Sequence, residues 1–129
     1  CSAGHPPTMV IRPESMPLGG DEARGGEVEL LGCQSGVIGA FESMVYETGV
    51  FTFAPGDMLF MYTDGTIEAR DRSGAFFGEQ RLRDLLLSVS GEGVSGICGK
   101  VLGELDRFTE SALDDDIALV SLEFLRSRS

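Results

Sequence analysis

The sequence predicts an α+β domain, and three observations carry that expectation. Strand-like segments crowd the first half of the chain, two helical stripes follow one another between about residues 79 and 108, and a further strand-like segment lies near the carboxyl end. Strands and helices that are segregated along a chain, instead of alternating, mark this class. The segments are organised around Met58-Leu59-Phe60-Met61-Tyr62-Thr63-Asp64-Gly65. Its first five residues are apolar or aromatic without interruption, as in a strand buried on both faces, although a short buried helix has the same pattern.

The elements follow in order. Cys1 to Pro7 ends in a Pro-Pro turn, and Thr8 to Arg12 reads as a strand stopped by Pro13. Glu14 to Gly26 is polar, contains two Gly-Gly pairs and is expected to be a mobile loop or long connection. Glu27 to Leu31 alternates polar and apolar residues, as a half-buried strand does. Val37-Ile38 is a short apolar piece between glycines. Met44 to Phe53 is rich in β-branched and aromatic residues, with Gly49 as a candidate bulge. Pro55-Gly56-Asp57 is then expected to turn that segment into the central strand, making an antiparallel hairpin.

Beyond Gly65 the period changes. Leu82, Leu85, Leu86 and Val89 recur at helical spacing, predicting a helix from about Glu79 to Val89. Val94, Ile97, Val101, Leu102, Leu105 and Phe108 form a second stripe, expected to face the first or a sheet. Gly96, Gly99 and Gly103 share one side of that helix; each costs roughly 1 kcal/mol against Ala, and together they would permit close approach of a neighbour. Asp114-Asp115-Asp116 precedes a last strand, Ile117 to Phe124.

Composition narrows the function. At 129 residues the chain suffices for one domain with a core, and no linker or internal repeat divides 1–129. No apolar run approaches the roughly 18 residues of a membrane span, and no signal peptide is expected. Beginning at Cys1, the chain reads as a piece of a longer polypeptide. A net charge of −11 argues against nucleic acid and anionic membrane surfaces as partners. Three scattered cysteines without a CxxC fit a reducing, cytoplasmic setting and no zinc site. The single histidine, His5, lies in a turn and is expected to make a structural hydrogen bond. Gly91 to Gly96 fits G-x-G-x-x-G but follows a helix, which speaks against a dinucleotide fingerprint.

What survives is a pair of acidic stations. Asp64 ends one apolar strand, and Asp114-Asp115-Asp116 begins another. On the central eight residues alone, Asp64 as a turn residue is the simpler reading. Three adjacent carboxylates beside a strand expected to be buried are relieved by a hard divalent cation such as Mg²⁺ or Mn²⁺. A solvated acidic turn fits their spacing equally well.

Read together, Ala3-Gly4-His5-Pro6-Pro7, Pro55-Gly56-Asp57, Tyr62-Thr63-Asp64-Gly65-Thr66-Ile67-Glu68-Ala69, Phe77-Gly78-Glu79 with Leu82, and Asp115-Asp116-Ile117 resemble the PPM-type, protein phosphatase 2C-like family, in its bacterial SpoIIE/RsbU branch. The resemblance covers nearly the whole chain. It implies an α-β-β-α sandwich of antiparallel sheets and hydrolysis of phosphoserine or phosphothreonine on a protein, with two Mn²⁺ or Mg²⁺ ions. In this branch the substrate is typically a small STAS-domain anti-sigma-factor antagonist. Carried over by residue, Asp64 is a metal ligand that acts in catalysis through the bound ion. Asp115 is the second, with Asp116 the alternative if that register shifts by one.

The departures shape the expectation. The family's first Asp-Gly motif, which bridges both ions, has no counterpart in 1–129, so the resemblance is to the carboxyl-terminal part of the domain. Ala118 stands where the family usually has Thr, and the Glu14 to Gly26 loop is longer than usual. The activity is therefore expected of an intact parent, the segment by itself binding metal weakly and hydrolysing negligibly. Glu68, Asp71 and Asp114 are alternative further ligands. A non-catalytic, phosphatase-derived binding or regulatory module is the competing class. An exposed sheet edge or helix face would suit a homodimer.

Overall fold

The computed structural model describes residues 2–13, 26–32 and 34–125; of the expected loop Glu14 to Gly26, all but Gly26 lies outside them. In chain order the elements are β1 (Ser2–Ala3), β2 (Met9–Arg12), β3 (Glu27–Leu30), β4 (Gln34–Ser35), β5 (Met58–Tyr62), a single turn α1 (Asp64–Ile67), α2 (Glu79–Val89) and α3 (Val94–Thr109). A 3₁₀ turn at Ser90–Glu92 joins α2 to α3, and β6 (Leu119–Glu123) follows. β1 and β4 form a short parallel pair. The other four strands make an antiparallel sheet in the order β3-β2-β5-β6. The class is the α+β expected, with one antiparallel sheet and one helical layer of the sandwich among the described residues.

Alternation decides which side chains meet the helices. Met9 and Ile11 of β2 register with Phe60 and Met58 of β5, and all four are buried on one face with Val28 and Tyr62. Against that face lie Leu82, Leu86 and Val89 of α2 and Ile97, Val101 and Leu105 of α3, one continuous core. Both helical stripes therefore pack as their spacing predicts, except that Leu102 of the second turns to solvent, 44% exposed, because it lies at the margin of the face that meets the sheet. Phe77 meets Phe108 edge to face at 5.2 Å, closing the end of the core nearest α1. The Arg83 guanidinium donates to the Val28 carbonyl at 2.9 Å, fastening α2 to β3.

Several expectations are corrected. Met44 to Phe53 forms no strand and no hairpin with β5, whose two edges are taken by β2 and β6. Val45 and Val50 are 82% and 95% exposed. Strand preference is a fit to a pleated, half-buried surface, and this segment meets such a surface only at its end, where Phe53 stacks on Phe124 at 4.1 Å. The turn after it is as expected: the Asp57 amide donates to the Ala54 carbonyl, and Gly56 takes φ 94°, a geometry that suits glycine at the third position of such a turn. β5 is fully buried on one face and half-buried on the other, because the helices cover only one side of the sheet. β6, one of the two edge strands of the described sheet, is likewise half-exposed, so the segment after the three aspartates is less buried than expected. The glycine side of α3 is open: nothing lies within 4 Å of a methyl group added at Gly99 or Gly103.

Candidate functional site

β5 delivers the chain to Thr63, after which the backbone coils into α1 with Asp64 as its first residue. The Glu68 amide closes this turn on the Asp64 carbonyl at 2.9 Å. Residues 67 to 78 fold back, the Phe77 amide donating to Ala69 and the Gly78 amide to Ile67. The segment Phe77-Gly78-Glu79 thus anchors α2 to the turn that carries Asp64. Gly78 starts α2 at φ 83°, a conformation ordinary side chains avoid.

The second station arrives from the far end of α3. The chain leaves that helix through Glu110 and Ser111, both at positive φ, and the Ser111 amide caps the Asp106 carbonyl at 2.9 Å. It then runs through Asp114, Asp115 and Asp116, all exposed, into β6. Pairing of β5 with β6 brings the two stations together. The ladder ends at Tyr62 opposite Leu119, and one step further the Thr63 amide donates to the Ala118 carbonyl at 3.1 Å. The Thr63 hydroxyl accepts from the Ala118 amide at 3.0 Å and donates to the Asp116 carbonyl at 3.4 Å. Gly65 is pressed against the same turn. A methyl group there would stand 2.7 Å from the Asp116 carbonyl oxygen and 3.5 Å from the carboxyl carbon of Asp115. Asp64 and the Asp115-Asp116 turn are therefore neighbours at one end of the sheet. Glycine at 65 is required by this close approach.

A cleft of about 400 Å³ opens beside them, walled by Gly65, Glu68, Arg70, Phe76, Asp114 and Asp115 among others. The Arg70 guanidinium lies over the Phe76 ring at 4.4 Å, and an exposed Arg72–Glu110 ion pair links the 68–77 segment to the end of α3. Of the alternative ligands, Glu68 and Asp114 share the cleft with Asp115. Asp71 does not. Its Oδ1 accepts from the Ser73 amide and hydroxyl and from the Ala75 amide, and the Ser73 hydroxyl above all holds its pKa below the usual carboxylate value. His5 Nδ1 donates to the Pro6 carbonyl at 2.8 Å, the structural role expected of it.

Two buried hydroxyls flank the site, those of Tyr62 and Thr66, with no hydrogen-bond partner among the described residues. Burial, with the negative charge of Glu79 second, pushes the Tyr62 phenol up to about 12. Neither hydroxyl stands out in the sequence, where Tyr62 reads as core and Thr66 as a turn residue.

The donor set can be tested against a hard divalent cation. Asp64 and Asp115 are both exposed at the same end of the sheet, and their carboxylates offer the oxygen chemistry that Mg²⁺ and Mn²⁺ take. Among the described residues no group of three or more His, Cys, Asp or Glu side chains is arranged to hold an ion. Mg²⁺ keeps several waters and is commonly held by one or two carboxylates, so the pair fits one side of such a site.

Comparison with known proteins agrees with this architecture. The phosphatase domain of the cell fate determinant SpoIIE from Bacillus subtilis, solved after presoaking with Mn, matches over 98% of this chain and 50% of its own length. Its TM-score is 0.58 at 19% identity, a likeness of fold. The fold is thus that of a solved SpoIIE phosphatase domain. A family model described as Stage II sporulation protein E (SpoIIE) matches residues 1–125, and the chain belongs to that family. Protein IcfG of Synechocystis sp. is 27% identical over 124 residues, which is 94% of this chain and 17% of IcfG. The chain therefore spans about half of the matched phosphatase domain and about a sixth of that curated relative. No helix among the described residues is long and apolar enough to cross a membrane.

Proposed function

We propose that this segment supplies one side of the metal site of a Mn²⁺- or Mg²⁺-dependent protein serine/threonine phosphatase, as the carboxyl-terminal part of a single SpoIIE-like domain. The reading rests on one observation: Asp64 and the Asp115-Asp116 turn, 51 to 52 residues apart in sequence by subtraction of their numbers, meet at one end of the β5–β6 ladder. Asp64 and Asp115 would hold the metal, with Asp116 contributing its backbone carbonyl to the turn's anchorage. Bound ions at such a site supply an activated water and neutralise the oxygens of a transferred phosphate. The chain's own part is to fix the two carboxylates and to wall the cleft in which a phosphorylated residue would lie.

The substrate class proposed is a phosphoserine or phosphothreonine protein, a STAS-domain anti-sigma-factor antagonist being the partner typical of this branch. Cytoplasmic action fits the three scattered cysteines, and a segment that takes no part in binding nucleic acid or an anionic membrane fits the net charge of −11. The deciding test is phosphatase assay of the full-length protein carrying this segment, with and without Mn²⁺, beside Asp64→Asn. Turnover should require metal and vanish in the variant, while its circular dichroism stays unchanged because Asp64 is exposed. Metal-independent turnover, or full activity in Asp64→Asn, would overturn the reading. Metal binding without hydrolysis of any phosphoprotein would favour the non-catalytic module instead.

A further inference from the structure

We infer that Thr63 is the positioning residue of this site, the side chain through which the Asp115-Asp116 turn is held against Asp64; the inference rests on the metal-site reading above. The β5–β6 ladder ends at Tyr62 and Leu119, with a single main-chain bond beyond it, at Thr63. Past that point the acidic turn is exposed backbone, and the Asp116 amide is satisfied only locally, by Asp115 Oδ1 at 2.8 Å. Thr63 bridges the gap with three bonds. Its amide donates to the Ala118 carbonyl. Its hydroxyl accepts from the Ala118 amide and donates its single proton to the Asp116 carbonyl. That hydroxyl thus satisfies one donor and one acceptor of the turn at once, which the methyl groups of valine at the same position could not. Ala118 brings no hydroxyl of its own.

Thr63 immediately precedes Asp64, so one residue sets the relative place of both stations. The contact with Gly65 sharpens this. The Asp116 carbonyl oxygen is wedged between the Thr63 hydroxyl and the Gly65 backbone, with no room even for a methyl group. Asp115 is the neighbour of Asp116 in the chain, and its Cβ and carboxyl carbon lie 3.4 and 3.5 Å from the same methyl position at Gly65, so the packing that holds the Asp116 carbonyl also bears on Asp115. Outer partners of this kind, which touch no ion, typically change metal affinity by about 10- to 100-fold when removed.

The test is Mn²⁺ titration calorimetry on the full-length protein, with amide hydrogen exchange read at Ala118. Thr63→Val should speed exchange at Ala118 and weaken Mn²⁺ binding by about tenfold or more, and Thr63→Ser should restore affinity to within about threefold. A merely structural threonine would lower the melting temperature without separating valine from serine in Mn²⁺ affinity. If Asp64→Asn and Asp115→Asn weaken Mn²⁺ binding but Thr63→Val does not, the positioning role is overturned and the metal-site reading stands. If neither aspartate substitution weakens it, the metal-site reading falls and the positioning role with it. The wild-type protein gives an independent check that needs no folded variant. Saturating Mn²⁺ should slow exchange at Ala118, and an amide indifferent to Mn²⁺ would overturn the inference.

Discussion

Gly65→Ala should destabilise the protein, although alanine is ordinarily the better residue in a helical turn. The added methyl would stand 2.7 Å from the Asp116 carbonyl oxygen and 3.4 Å from Asp115 Cβ. The first distance is well inside contact, and the obstructing atom is backbone. That oxygen cannot swing aside freely, since it accepts from the Thr63 hydroxyl. Overpacking of this kind costs about 1–3 kcal/mol, against the roughly 0.5–1 kcal/mol that alanine normally gains over glycine. The net expectation is a loss of up to roughly 2.5 kcal/mol, or a fall in melting temperature of up to about 10 °C for a domain of this size. Thermal and urea unfolding followed by circular dichroism would measure it. Gly99→Ala is the internal control. It is the same chemical change in α3, where nothing lies within 4 Å, and it should stabilise by about 0.5–1 kcal/mol. If both substitutions stabilise, the packing of the Asp116 carbonyl on Gly65 is refuted.

Leu105→Ala, at a fully buried position between α3 and the sheet, should cost about 2–5 kcal/mol in urea unfolding; a loss below 1 kcal/mol would mean the α3 stripe is not core. Tyr62→Phe deletes a buried hydroxyl that has no partner among the described residues, so stability should stay within about 1 kcal/mol or rise; a larger loss would reveal a hydrogen bond at that oxygen. The turn at Asp71 should open with acid. Its pKa is lowered in the folded protein, chiefly by the Ser73 hydroxyl, so the ionised form is favoured and its contribution is present above the usual carboxylate pKa. That contribution is lost as pH falls through the depressed value. The Ser73 and Ala75 amide resonances should therefore shift only below the ordinary carboxylate range, and a shift at or above it would contradict the assignment.

The helices were legible because their information is local and repeated: four leucine or valine positions in α2 and five of the six apolar positions in α3 state one face each, Leu102 alone turning to solvent. β5 was legible from its five apolar residues, yet the unequal cover of its two faces was not, since that depends on which side the helices take. Met44 to Phe53 misled because its valines and aromatics carry strand preference without saying whether an edge is free to receive them. The two acidic stations could be named from sequence, and their meeting could be expected only from family resemblance. Thr63 was missed altogether. A threonine before Asp-Gly looks like turn chemistry, and its partners, Asp116 and Ala118, lie 53 and 55 residues away.

Because the site is completed by β6, its integrity follows an edge strand of the sheet. Edge strands with half-exposed side chains open by local fluctuations that leave the rest of the domain folded. Closing β6 onto β5 joins positions 55 residues apart, a loop whose length-dependent entropy alone is about 3.5 kcal/mol for a flexible chain, less where α2 and α3 are already formed. A ligand held between Asp64 and Asp115 therefore binds the closed form and not the frayed one. Its binding free energy appears as protection of β6, and occupancy of the site and docking of the last strand become a single equilibrium, readable from either end.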